Sequence, residues 1–211
     1  METTQKTKAI ILKREPFNEN DSRVFVYSED FGKLNLIARG TQKLSSKLSS
    51  HIEPLNLCEI MVIKGKRYDY LASVVSKNVF SNIKNNYQKI ETAGKIVKLL
   101  NEIIKGDEKD ENIFILLNEF LEILNQAKKD DDACFLILQA AFILKLISLL
   151  GYQPPLDGNK IMNIKASGGA IELIKMILVM EFIEITKLNL EEKLINEVND
   201  IILKYKLYIF D

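Results

Sequence analysis

The chain has 211 residues, 47% of them apolar, and its 29 Lys and Arg balance 29 Asp and Glu. At this length folding removes about 70% of the unfolded surface from water, so a packed core is expected and dominant disorder is excluded. A net charge of zero would argue against a nucleic-acid partner only if the charge were evenly spread, but residues 1–82 carry +4 and residues 83–211 carry −4.

Five short stretches of strand-like composition fill the first part: Thr7 to Lys13, Arg23 to Ser28, Lys33 to Arg39, Leu57 to Lys64 and Tyr70 to Lys77. Turn chemistry separates them at Phe17 to Asp21, at Glu29-Asp30-Phe31-Gly32 and at Gly65-Lys66-Arg67. Val24, Val26 and Ser28 alternate with Phe25 and Tyr27, and Leu34, Leu36 and Ala38 with Asn35 and Ile37. Apolar residues on both faces suit a sheet that closes on itself or lies under a helix. Five strands with a long polar connection between the third and fourth predict a small OB-type barrel, and an SH3-like barrel fits the count nearly as well.

The remainder reads as helical. Ile83, Tyr87, Ile90, Gly94, Val97, Leu100 and Ile104 keep the spacing of one helix face, which Gly106 and the run Asp107 to Glu111 end. A second helix follows from about Ile113 to Gln126. Asp130, Asp131 and Asp132 offer an N-cap for a third, Ala133 to Leu150, closed by Gly151 with Pro154-Pro155 beyond. Two shorter helices, Ala170 to Ile185 and Leu190 to Lys204, complete the chain, with Asn189 and Glu192 as a capping pair. The expected fold is α+β with two domains: a five-stranded OB-fold barrel over residues 1–82 and an all-α domain of five helices over residues 83–211. The third helix has the length of a marginal membrane span. Gln139, Lys145 and Ser148 interrupt it, a lysine inside a span costs about 2.5–3.5 kcal/mol, and no Trp anchor exists. It is therefore expected to be the packed centre of a bundle, with no membrane involved.

Catalytic chemistry lacks its residues. Cys58 and Cys134 belong to no CxxC, His51 is the single imidazole, and these three cannot make a four-ligand zinc site. The apolar settings of both cysteines read as buried thiols of a reducing compartment, and Met-Glu-Thr-Thr-Gln-Lys carries no apolar leader, so a cytoplasmic setting is expected. Neither GxxxxGK[ST] nor GxGxxG occurs, and Gly168-Gly169 reads as a turn before a helix. His51 has Ser49, Ser50 and Glu53 too close in sequence for a triad and reads as a loop residue. Asp107, Glu108, Asp110 and Glu111 lack the glycine and terminal glutamate of a calcium loop and read as a solvated turn. Neither an enzyme nor a cofactor nor a bound metal is expected.

The informative feature is basic. No acidic residue lies between Asp30 and Glu53, while Lys33, Arg39, Lys43 and Lys47 recur in a stretch rich in Ser and Gly. Such a loop can lay ammonium groups and hydroxyls along a phosphate backbone without reading bases. Lys64, Lys66 and Arg67 form a second cluster and Lys13, Arg14 and Arg23 a third. In a small barrel these loops could meet on one side. Phe17, Phe25, Tyr27, Phe31, Tyr68 and Tyr70 are the aromatic candidates for base stacking, each of which could equally be core.

The run Lys8 to Arg23 with Glu19-Asn20-Asp21-Ser22-Arg23, then Phe31-Gly32-Lys33-Leu34, then Ala38-Arg39-Gly40, resembles the amino-terminal domain of the RecO family of bacterial recombination mediators. Pro54-Leu55 before an apolar strand and Leu149 to Asp157 continue the resemblance, which spans about residues 5–157. It implies an OB-fold domain and a helical domain that bind single- and double-stranded DNA, anneal complementary strands, and help load the recombinase RecA onto DNA coated with single-strand-binding protein. It further implies action with RecR, contact with the acidic, apolar tail of single-strand-binding protein, and a place on the nucleoid. Arg14, Arg23, Lys33 and Arg39 match by motif, and Lys43 and Lys47 by character. Many members carry a four-cysteine zinc module after the Leu-Gly-Tyr-x-Pro segment. Here Asp157 to Lys165 holds no cysteine, so a short, zinc-free member is expected, in which the module's support either comes from packing around Ile161, Met162 and Ile164 or is missing. The alternative reading is a non-catalytic OB-fold scaffold that binds a protein rather than DNA.

Overall fold

A computed structural model describes residues 4–43, 45–105, 109–127, 132–157, 160–161 and 164–210. Five strands, β1 (Thr4–Pro16), β2 (Ser22–Ser28), β3 (Gly32–Ala38), β4 (Leu57–Ile63) and β5 (Asp69–Asn78), close a barrel in the order β1-β2-β3-β5-β4. Closure depends on the length of β1. Its first half pairs antiparallel with β4 (Thr4 with Ile63 through Ile10 with Leu57) and its second half with β2 (Ala9 with Ser28 through Pro16 with Ser22). Among the described residues the one parallel pairing in the barrel is the short one of Leu36 and Ile37 with Asp69 and Tyr70. This order and the single parallel pair are those of an OB-type barrel, which decides between the two barrels compatible with the strand count.

The alternation in the sequence sets the interior. Ala9, Ile11, Val24, Val26, Leu34, Leu36, Cys58, Ile60, Val62, Leu71 and Val74 fill it, with Ile52 from the β3–β4 connection, and Phe31 and Leu48 pack against this core. Several outward positions are buried as well: Ile10 and Tyr27 are fully covered and Ile37 nearly so. Described residues of the segment Val97–Asn118, which belongs to the same compact unit as Met1–Ser81, lie against part of this outer face. Tyr27 donates its hydroxyl to the Asp110 carbonyl, and the Lys33 ammonium donates to the carbonyls of Asn101 and Ile104.

A bulge between Ile11 and Lys13 reverses the parity of β1. Strict alternation from Ala9 and Ile11 would aim residue 13 inward. Instead Lys13 pairs with the outward Phe25, and Arg14 pairs with the inward Val24. The Arg14 guanidinium thus closes one end of the barrel, donating to Ser22 Oγ, to Ser49 O and Oγ, to Thr41 O and, at 2.8 Å, to Glu53 Oε1. Charge-assisted bonds of this kind contribute about 1.5–3 kcal/mol each when their partners are shielded from water. Arg14→Ala is therefore expected to cost about 2–3 kcal/mol, read as a fall in the urea midpoint of the barrel. A change under 0.5 kcal/mol would show that the guanidinium does not hold the loop.

The second unit comprises Asn82–Ile96 and Glu119–Asp211. The helices of the chain are α1 (Ser81–Lys84), α2 (Tyr87–Ile103), α3 (Glu111–Gln126), α4 (Asp132–Leu149), α5 (Gly168–Val179), α6 (Phe182–Ile185) and α7 (Glu192–Phe210). Helix α4 is long and apolar enough to cross a membrane by length and composition, but ten of its residues are buried on all sides among α5, α6 and α7. Gly151 ends it as expected: with φ +86° it donates its N–H to Ser148, and Tyr152 donates back to Ile147, the double bond of a Schellman turn.

Five expectations need correction. The helix expected from Ile83 restarts at Tyr87, because Asn86 Oδ1 accepts from the Lys89 N–H and caps a new helix. Its buried face is then Lys89, Ala93, Ile96, Val97 and Leu100, whereas Tyr87, Ile90 and Gly94 are exposed. The helix expected over Ala170 to Ile185 breaks at Met180 in extended conformation, and a Glu181/Glu184 capping box starts α6. Gly168 and Gly169 are the first turn of α5, capped by Ser167, rather than a turn before it. The last helix runs from Glu192 to Phe210, starting and ending later than expected. The second part is also not wholly helical: β6 (Leu156–Asp157), β7 (Lys160–Ile161) and β8 (Ile164–Lys165) pair as a small antiparallel meander where the zinc module was expected to be missing. Ile161 is buried there. Met162, Leu44, Asp107, Glu108, Asp130 and Asp131 lie outside the described residues.

Candidate nucleic-acid interface

Three connections converge at one end of the barrel. The β1–β2 turn is closed by the Phe17 N–H on the Asp21 carbonyl, and it is tied to the chain after β3: Gly40 donates to Asp21 Oδ1 at 2.9 Å and Gln42 to the Asn20 carbonyl. The β4–β5 turn is held by Asp69, which accepts from Lys64 Nζ at 2.6 Å and from the Gly65 N–H. Gly65 is required by close approach, since a Cβ there would stand 2.2 Å from the Tyr68 carbonyl oxygen and 3.1 Å from the Tyr70 ring. The first and third of these turns touch through Phe17 and Tyr68, whose rings meet edge to face at 5.4 Å.

Arginines lie on these rings. Arg23 stands 4.8 Å above Phe17, Arg67 5.2 Å above Tyr68 and Arg39 4.4 Å above Tyr70. Sheet register accounts for the convergence: Glu15, Arg23, Ile37 and Tyr70 form one row across β1, β2, β3 and β5. Arg39 and Arg67 are exposed, the three rings are half-buried, and the Arg23 Nε is buried with no hydrogen-bonding partner among the described residues. Cationic groups alternating with flat apolar surface can neutralise phosphates and stack against bases.

The ten expected site residues fall into distinct environments. Arg23, Arg39 and Arg67 form the ring cluster. Lys43, beside it on the loop after β3, and Lys47 and Lys66 are exposed, and none of the three makes a salt bridge with a described residue. Lys13, above Phe25 at 5.7 Å, is paired with Glu15, and Lys64 with Asp69. Arg14 and Lys33 are not on this surface: the first closes the barrel end and the second caps carbonyls of the covering segment. Burial pushes the Lys33 ammonium below its usual pKa.

Of the aromatic candidates, Tyr27 is fully buried and so cannot meet a ligand, and Phe31 is partly buried and packs on the core. His51 lies in the β3–β4 loop, where Nδ1 accepts from the Ser76 N–H at 3.2 Å and its carbonyl accepts from Asn56 Nδ2 and Cys58 Sγ. That is an anchor for the loop. Among the described residues no group of three or more His, Cys, Asp or Glu side chains could hold a metal ion.

Comparison with known proteins bears on both parts of the chain. Residues 1–80 match the family model "Recombination protein O N terminal" and residues 85–168 match "Recombination protein O C terminal". A protein of Thermoanaerobacter sp. named "DNA repair protein RecO" is 29% identical over 174 residues, covering 79% of this chain and 68% of the relative. The protein of that name from Caldanaerobacter subterraneus is 28% identical over 152 residues, covering 72% and 60%. That from Desulforamulus reducens is 23% identical over an alignment of 235 positions, covering 98% of this chain and 90% of the relative. In several further relatives of that name the match spans about three fifths of the relative's length.

Proposed function

The chain belongs to the RecO family, and from that premise we propose that it is a non-catalytic DNA repair and recombination mediator whose barrel binds single- and double-stranded DNA. Basic side chains at the converging turns neutralise phosphates of two flexible strands and hold them close enough to pair, which is strand annealing. The observation that carries this reading is the meeting of Arg23, Arg39 and Arg67 on the rings of Phe17, Tyr70 and Tyr68, next to exposed Lys43 and Lys66. Membership of the family further supports action with RecR and with the tail of single-strand-binding protein, delivery of RecA to coated DNA, and work in the cytoplasm on the nucleoid.

A strand-annealing and binding assay across a salt series, with and without single-strand-binding protein, tests this reading. Annealing is expected to fall as salt rises, with binding weakening by about 0.7 log units per phosphate contact for each tenfold increase on single strands and about 0.9 on duplex. Retained annealing on coated strands supports the mediator role. Salt-insensitive binding of a protein partner without DNA retention would favour the scaffold reading instead.

A further inference from the structure

Resting on the DNA-binding reading, we propose that Tyr68 and Tyr70, braced by Phe17, form a stacking platform for unpaired bases, and that Arg67 and Arg39 are resident occupants which incoming bases displace.

The rings are placed by the fold rather than by chance exposure. Tyr70 stands on a strand in register with Ile37, Tyr68 is set by a turn that tolerates only glycine at position 65, and Phe17 abuts Tyr68 at 5.4 Å. Each ring already carries a flat cation, so its face is desolvated and accepts planar groups. The occupants differ in freedom. Arg23 is half-buried with its Nε sealed from water, and it stays beside Phe17 as a fixed brace. Arg39 and Arg67 are exposed and can leave.

Leaving is favourable because a base holds an aromatic face more strongly than an exposed cation does. The displaced guanidinium is then free to make a charge-assisted bond to the phosphate of the same nucleotide. One exchange therefore turns an internal contact into two contacts with the ligand. Duplex DNA keeps its bases paired and stacked, so it can use only the phosphate half of the site. The consequence is a preference for single strands that comes from two named tyrosines rather than from charge.

The test compares oligothymidylate with an abasic sugar–phosphate oligomer of equal length, at fixed salt. The chain has seven Tyr and no Trp, so tyrosine emission reports stacking directly. Oligothymidylate is expected to bind at least about tenfold more tightly than the abasic oligomer, since one base–ring stack is worth about 5- to 150-fold in affinity, and only oligothymidylate should quench emission. Tyr68→Leu with Tyr70→Leu should remove the difference, whereas Tyr68→Phe with Tyr70→Phe should keep it. Arg39→Gln with Arg67→Gln should weaken both ligands while leaving the ratio undiminished. Equal, salt-dependent binding of both oligomers would overturn the platform and leave the DNA-binding reading standing. Binding of neither would overturn both.

Discussion

Reversing Lys43, Lys47, Lys66 and Arg67 to glutamate is expected to lower single-strand affinity by at least about 10³-fold at 50 mM salt and to abolish annealing. If each of the four meets one phosphate, removing them flattens the log–log salt slope by about 2.8 units, and 50 mM lies about 1.3 decades below the molar reference at which counterion release contributes nothing. The loss from neutralisation alone is then about 10³ to 10⁴, and reversal adds repulsion. All four side chains are exposed, and Lys43, Lys47 and Lys66 make no salt bridge with a described residue, so the fold should survive. Arg67 gives up a ring contact with Tyr68 worth only about 0.5–1 kcal/mol at an exposed site. Filter binding across the salt series, with circular dichroism as the control, reads both numbers. An unchanged slope would show that the phosphates lie elsewhere on the molecule.

Phe120→Ala is expected to destabilise the helical unit by about 4–5 kcal/mol. The ring is fully buried and meets Phe142 at 5.1 Å and Phe182 at 5.8 Å, both edge to face. Truncation loses the transfer term, leaves a cavity in a close-packed interior and removes two oriented ring pairs, which places it at the upper end of the range for aromatic residues. Phe120→Leu keeps most of the volume and should cost under about 1.5 kcal/mol. Urea denaturation followed at 222 nm separates the two. A loss below 1.5 kcal/mol for the alanine variant would mean that α4 and α6 can close over the gap.

The barrel was legible because its signal is local. Val24 to Ser28 and Leu34 to Ala38 alternate with period two, and the turns at Asp21 and Gly32 are spelled out in polar residues and glycine. The start of α2 was not legible, because Tyr87 and Ile90 fit a helical period equally well on a face that the fold leaves in water. Asn86 sets where the helix begins, and the burial of Ala93, Ile96, Val97 and Leu100 sets which face turns inward. The candidate cluster was legible in type but not in membership. Ten basic residues could be named, yet Arg14 and Lys13 exchange roles through a one-residue bulge that no composition reveals.

Periodicity, turn residues and the ordered motifs from Lys8 to Gly40 suffice for a barrel followed by helices, for the family, and for a positive first part and a negative second. Each of those properties is carried by residues near one another in the chain. Which cations meet at the converging turns is a different kind of fact. It depends on register between β2, β3 and β5, on the bulge in β1, and on which carbonyls of the covering segment come within reach of Lys33. Those pairings join residues tens of positions apart, and their cost and gain exist only once the sheet has closed.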